Sequence, residues 1–409
     1  MKNLKFKIIM GAVFTVLMMG VAIGLSSCDL IDKIFFNKES EPTVIYEISA
    51  DETYAEVVGY TGNLTELIIP QEYNGVPVKT IRGNAFKDSS ITSITIPNSI
   101  TTIGSSSFQG CKSLTDVTIG KGVTGIGAYA FYACDGLRNV YITDLTQWCN
   151  IEIDSFANPL LYAQNMYLNG ELITELVIPD SVTRIGCNAF FGYRSLTSVI
   201  IPNSVKIIGS GAFCGCSALE SVTISDSIMS IESGAFEYCS SELYSTYHSG
   251  IYIGNEENPY AVLIKIVHSS ETHSIYPNTK VIIANNAFAG LGQLKYIVIP
   301  NNVTKICPSA FKDCPDLERV EINNGVTSIG DYAFAGCDVL WSVTIGNGVT
   351  SIGERAFDVC FGLQGITFYG TVEQWNGIEK SSSWNSNTDF YTIYCTDCKI
   401  AKDGTVTYR

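Results

Sequence analysis

Cysteine is the residue whose spacing in this chain most suggests chemistry. There are 14 cysteines, and seven of them (Cys111, Cys134, Cys216, Cys239, Cys314, Cys337 and Cys360) each follow a phenylalanine by three positions. Regularly spaced thiols could bind metal, pair as disulfides or simply fill space. Zinc takes four ligands converging on a tetrahedron, and a linear column of thiols does not supply that. The seven therefore read as small buried side chains filling one column, against the tendency of exported chains to oxidise their cysteines. Cys395-x-x-Cys398 lies outside this column. A redox pair needs a helix N-terminus to depress its pKa, and a structural zinc needs two further ligands. Neither is evident nearby, so the pair reads as a local disulfide or as two unpaired thiols.

Other chemical signals are weaker. Gly120-x-Gly122-x-x-Gly125 matches the dinucleotide fingerprint, which should open a helix after a strand and be followed by an acid about 20 residues on. Here it lies between two extended pieces, and Gly346-Asn347-Gly348 recurs at the same place further along. These read as turn glycines. His248, His268 and His273 fall in one stretch without a nucleophile partner, and Glu256-Glu257 reads as solvated charge in a turn. There is no GxSxG elbow, HExxH or P-loop. The chain reads as a non-enzyme with no catalytic, cofactor-binding or metal-binding residues and no cofactor.

The elements that would position any site come from a repeat. Leu196–Ala218 reads LTSVIIPNSVKIIGSGAFCGCSA, and the next 23 residues read LESVTISDSIMSIESGAFEYCSS. Repetition at this period is the signature of a solenoid. Ten phenylalanines mark the register: Phe86, Phe108, Phe131, Phe190, Phe213, Phe236, Phe288, Phe311, Phe334 and Phe357. Six of the nine intervals are 23 residues, one is 22, and two are long, at 59 and 52. Alanine precedes the phenylalanine everywhere except at Ser107, and isoleucine stands five before it, as in Ile103, Ile208 and Ile352. Leu-Thr-x-Val-x-Ile alternates apolar and polar residues, as a strand with one buried face does. In the Leu196 unit Val199 and Ile201 point inward while Ser198 and Ile200 point outward. Pro202 ends the ladder because it has no N–H to donate. Val-x-x-Ile then makes a second extended piece, glycine turns the chain, and Ala-Phe plugs the interior.

The recurring LxxVxIPxxVxxIGxxAFxxC sentence resembles the BspA-like class of leucine-rich-repeat proteins, from about Ile45 to Arg409. The resemblance implies a curved, right-handed solenoid on bacterial cell surfaces, associated with adhesion to host proteins or other cells. The fold class is mainly β with short irregular or 3-10 segments, in about 13 coils of 23 residues between N- and C-terminal caps. At about 4.8 Å per coil the stack would be roughly 60 Å long.

Lys2, Lys5 and Lys7 precede the apolar run Ile8–Ile23, and Leu25-Ser26-Ser27-Cys28 follows. This has the form of a secretory signal, and the last four residues resemble a bacterial lipobox, which implies a lipid on Cys28. Cleavage before Cys28 removes three lysines and no acid, taking the net charge from −15 to −18. So acidic a surface repels phosphate backbones and excludes nucleic acid as a partner. The expected organisation is 1–27 signal peptide, 28–43 tether, 44–90 N-terminal cap and first coil, 91–362 repeat solenoid, and 363–409 C-terminal variant coil and cap. Variant coils are expected at 140–171 and 243–270. Asn169-Gly170 is a strong hairpin signal within the first of these.

Two candidate sites follow. The first is the outward face of the long strands, where Glu66, Asp116, Tyr141, Glu175, Ile200, Tyr296, Arg319 and Glu321 stand two or four positions into their units. Solenoid faces serve as extended binding surfaces. The second is the tyrosine-rich insertion with Tyr244, Tyr247, His248 and Tyr252. The leading functional reading is a lipid-anchored bacterial surface protein that binds proteins or other surface macromolecules. The others are a structural spacer without a ligand, and a ligand-capture or enzymatic lipoprotein using residues 243–270.

Overall fold

The computed structural model describes residues 43–408 except 64, 155, 389 and 390. The signal segment, Cys28 and most of the tether lie outside them. The chain is a mostly β solenoid of about 15 turns with a 23-residue period. The count slightly exceeds the 13 coils expected, and variant stretches such as Asn165–Leu168 and Thr392–Tyr394 supply rungs without a register phenylalanine. No helix among the described residues is long and apolar enough to cross a membrane.

Each regular turn has three sides. The long strand makes one, and its parallel partners are in phase: Ser93 faces Asp116, and Ser198 faces Ser221. Equivalent residues thus form columns. The ladder comes in three segments. One runs from Glu66–Ile68 to Asn165–Leu168, one spans Glu175–Val177, Ser198–Ile201 and Ser221–Ile224, and one starts at Tyr296–Ile299. The first break is the hairpin at Asn169-Gly170, where Glu171–Leu172 pairs antiparallel with Tyr167 and Leu168. The second is the insertion, where Tyr244–Tyr247, Gly250–Ile253 and Val262–Ile266 form an antiparallel meander. The short strands make the second side, with Ile103 beside Ile126 and Ile329 beside Ile352.

The third side holds the phenylalanines. In all ten register units the residues two before and two after the phenylalanine have positive φ, from Asn84 and Asp88 to Arg355 and Val359. This conformation aims alternate amides along the stack. Asn84, Phe86 and Asp88 donate to the carbonyls of Ser105, Ser107 and Gln109 in the next turn. Asparagine, aspartate, serine or glycine suits these positions. Tyr129, Tyr238, Tyr332, Arg355 and Val359 adopt the same conformation, at about 1–2 kcal/mol each. The rings themselves stack nearly parallel, with centroids 5.3 and 5.1 Å apart from Phe86 to Phe131 and 4.4, 5.0 and 5.2 Å apart from Phe288 to Phe357. Tyr60 extends the column at one end and Trp384 closes it edge-on at the other.

Two short helices, Leu145–Cys149 and Val372–Gly377, replace turns that sequence spacing left irregular. Both carry Gln-Trp. Asp144 caps the first through the amide of Gln147, and Thr371 with Gln374 forms a capping box on the second. Trp148 donates its indole N–H to the Ala189 carbonyl at 2.9 Å. At the N-terminus Thr43–Ile48 pairs antiparallel with Ala55–Thr61 over the first turns. At the C-terminus Cys398–Ala401 and Val406–Tyr408 finish the long-strand sheet antiparallel.

Candidate functional site

The outward columns of the long strands carry the predicted face residues, and each ladder segment holds one group of them. In the first segment Asn139 Nδ2 donates to Asp116 Oδ1 at 2.9 Å, and Asn165 Nδ2 donates to Asn139 Oδ1 at 2.9 Å. Thr115 Oγ1 and the Tyr141 hydroxyl also donate to Asp116, at 2.5 and 3.3 Å. Partial burial opposes ionisation of Asp116, but these bonds outweigh it and hold its carboxyl below the usual range. The rings of Tyr141 and Tyr167 stack at 5.0 Å. Asn165 and Tyr167 were not among the sequence candidates, although Asn165-Met166-Tyr167 repeats the pattern of Asn139-Val140-Tyr141 and pairs with it residue for residue.

In the second segment Val177 lies beside Ile200, and both are exposed, at 62% and 47%. Exposed Glu175 flanks them. In the third segment the Arg319 guanidinium sits 5.6 Å from the centre of the Tyr296 ring, and the Tyr296 hydroxyl donates to Glu321 Oε2 at 3.0 Å. Burial first, and then the bond to Glu321, raise the Tyr296 pKa. Glu66 and the strongly exposed Ile68 stand on the first strand of the face. The face thus offers anionic, apolar and mixed-charge patches in sequence along one edge of the stack.

The insertion is differently placed. Tyr252 is fully buried and its hydroxyl accepts from the Tyr276 amide at 3.1 Å, so it is a core residue and not a ligand contact. Tyr244 is half-buried, with its hydroxyl donating to the Phe236 carbonyl at 2.6 Å and accepting from the Cys239 amide. Tyr247 packs edge-on against His248 and Tyr276, leaving His248 exposed. His273 is 3.4 Å from Ser270 Oγ, which is itself engaged with the Thr272 carbonyl. Among the described residues no carboxylate is hydrogen-bonded to that imidazole, so nothing orients it as a base.

The seven laddered cysteines all have free thiols. Each points its Sγ at the carbonyl of the register phenylalanine one turn back. Cys111 donates to Phe86 at 3.0 Å, Cys134 to Phe108 at 3.1 Å, and the series continues to Cys360 and Phe334 at 3.3 Å. Among the described residues, the one grouping with metal-ligand spacing is Cys395, Asp397 and Cys398, whose donor atoms lie within 4.8 Å of one another. Asp397 is already engaged by the Val372 amide at the start of the second helix. Three donors fall one short of a closed tetrahedral zinc site.

Burial pushes Cys149, Cys239, Cys307 and Cys360 up to about 12. An unfolded thiol ionises near pH 8.5, so stability from these protonated thiols is full below about pH 8.5 and lost as pH rises toward 12. Urea midpoints are expected to hold level to about pH 8 and to fall steadily above about pH 9. In the folded protein at pH 8 a thiol reagent should modify Cys187 and Cys239, the one partly exposed member of the ladder, and reach the six buried ladder thiols only on unfolding. Rapid modification of those six without unfolding would contradict this.

The BspA type leucine-rich-repeat region matches residues 79–161, 161–257 and 265–382, in six copies. No curated protein matches the chain. Among solved structures, a leucine-rich cell surface protein from Faecalibacterium prausnitzii A2-165 is similar at 26% identity over 82% of this chain and 96% of its own, with a TM-score of 0.33. A leucine-rich-repeat protein from Bacteroides ovatus ATCC 8483 is 22% identical over 86% and 89%, with a TM-score of 0.40. The pneumococcal vaccine antigen PcpA is 17% identical over 86% and 98%, with a TM-score of 0.30. The family match covers well over half of the residues and rests on the same register units that build the stack, so this chain belongs to the BspA-type leucine-rich-repeat family.

Proposed function

We propose that the protein is a bacterial surface lipoprotein, anchored by a lipid on Cys28, that binds proteins through the outward face of its long strands. The observation that carries this reading is the in-phase register, which lines up Asp116, Asn139 and Asn165, and separately Tyr296, Arg319 and Glu321, as fixed groups spanning two or three turns. Side chains already held by their neighbours lose little freedom on binding. Aromatic and arginine side chains such as Tyr141, Tyr296 and Arg319 are the types that contribute most at interfaces. The role is recognition, and among the described residues His273 lacks the carboxylate partner that would orient a base. The insertion supports ligand capture less well, because Tyr252 is core and Tyr244 is committed to the backbone.

The test is capture of host matrix proteins and bacterial surface material by the wild-type protein and by a Glu175→Arg, Arg319→Glu double variant. Binding should weaken at least tenfold with the thermal midpoint little changed, because both side chains are exposed and the contact of Arg319 with the Tyr296 ring is worth only about 0.5–1 kcal/mol at such a site. Unchanged binding, or no binding partner for the wild type, favours the spacer reading. Cys28→Ala should move the protein out of the membrane fraction.

A further inference from the structure

On the phenylalanine side of the stack, away from the long-strand face, three aromatic rings stand in the open. Tyr129, Tyr132 and Phe156 are exposed at 43%, 40% and 53%. Tyr129 and Phe156 lie nearly parallel with centroids 5.8 Å apart, and Tyr132 meets both edge-on. Aromatic planes in contact are only about 3.5–4 Å apart. A 5.8 Å centroid distance therefore means that the two rings are slid past one another, each leaving part of its face uncovered. Tyr129 and Phe156 both hold positive φ, 60° and 54°. At the position of Tyr129, seven of the ten register units carry asparagine, serine or glycine. Here the backbone accepts strain to present bulky rings to solvent, where they touch one another and stay half-exposed.

Beside the rings is a crevice of about 150 Å³ lined by Asp154, Phe156, Asn158, Asn188 and Phe191. Asn158 is committed inside the fold, to the Leu160 amide and the carbonyls of Asn188 and Ala189. Asn188 donates to the Ile153 carbonyl. The Asp154 carboxylate is exposed, and neither it nor the hydroxyls of Tyr129 and Tyr132 has a hydrogen-bond partner among the described residues. The site thus combines uncovered π-faces, one carboxylate acceptor and two phenols that donate or accept.

We propose that this platform binds a neutral oligosaccharide. A pyranose ring presents a patch of C–H bonds on one face, which suits the negative face of an aromatic ring, and it carries hydroxyls at its rim, which suit a carboxylate and phenols. The footprint argues for a glycan over a protein. Three half-exposed rings offer roughly 300 Å², whereas a stable protein partner needs about 800 Å² on each side. Charge argues for a neutral sugar, because the chain at −15 repels uronic or sialic acids.

The experiment is calorimetric titration of the protein with neutral hexasaccharides of β-1,4-linked glucose, xylose and mannose and of β-1,3-linked glucose. The variants are Tyr129→Asn and Phe156→Asn, which install the residue that related turns already tolerate in this conformation. At least one hexasaccharide should bind, and its association constant should drop at least tenfold in either variant, with a thermal midpoint equal to or above that of the wild type. Asp154→Asn should weaken binding severalfold. Three outcomes overturn the proposal: no hexasaccharide binds, binding survives both asparagine variants, or the wild type forms a dimer that the variants dissociate, which would give the patch to a second copy of the chain.

Discussion

Replacing Phe311 by alanine should destabilise the protein by about 3–5 kcal/mol, among the largest losses that a single core truncation produces. Phe311 is fully buried, with Phe288 stacked on one face at 4.4 Å and Phe334 on the other at 5.0 Å. Both ring contacts vanish in the variant, and such pairs are worth about 0.5–1.5 kcal/mol each beyond the area they bury. The cavity cannot collapse easily, because the turns above and below are held at their spacing by the amides of Phe311 and Phe288, which bond to Ala333 and Ala310. A solenoid is stabilised by nearest-neighbour interfaces. The damage should therefore stay local, and urea unfolding followed by hydrogen exchange should show the turns around Phe311 opening before those around Phe213. A loss below about 1 kcal/mol would show that the column is not the axis of stability.

Gly122→Ala should cost about 2–3 kcal/mol, the range for forcing extra volume into a packed region. A methyl group there would lie 2.0 Å from the Asn98 carbonyl oxygen and 2.8 Å from that of Ile100, both backbone atoms of the preceding turn. The turns would have to separate. Gly125→Ala is the internal control, since its nearest neighbour would be the Glu152 carbonyl at 3.9 Å, and the change should fall within about 0.5 kcal/mol. Thermal midpoints of the two variants decide the matter. Equal effects at both positions would contradict stacking as the reason for these glycines. The contrast also accounts for Gly120-x-Gly122-x-x-Gly125. Gly120 and Gly122 are required because one turn's backbone passes against the next, so no nucleotide is needed to explain the motif.

Much of the fold was legible because stacking imposes identity. Ile201, Ile208, Phe213 and Cys216 recur because each must meet its own counterpart one turn away, and a repeated constraint leaves a repeated residue. The hairpin at Asn169-Gly170 was legible for a different reason, since its turn chemistry is local. The two Gln-Trp helices escaped notice although Asp144 and Thr371 each precede a glutamine by three positions, because five or six residues are too few to show a helical period. Tyr252 was misplaced because tyrosine in an insertion looks like surface, and only the meander of Gly250–Ile253 against Val262–Ile266 turns that ring inward. Tyr129 could have been found by comparing turns, as one of three bulky residues, with Tyr332 and Arg355, in a column otherwise of asparagine, serine and glycine. Its neighbour Phe156 belongs to a turn without the register sentence, so no comparison of repeats would align the two.

The in-phase pairing of the long strands has a consequence for heredity. Each turn meets its neighbours through inward residues that are nearly the same in every unit, so duplicating or deleting one 23-residue segment leaves both new junctions chemically familiar. The outward residues travel with the segment and are free to diverge. A gene of this design can lengthen, shorten or reorder what the cell displays by recombination between its own repeats, with the interior indifferent to which version it carries.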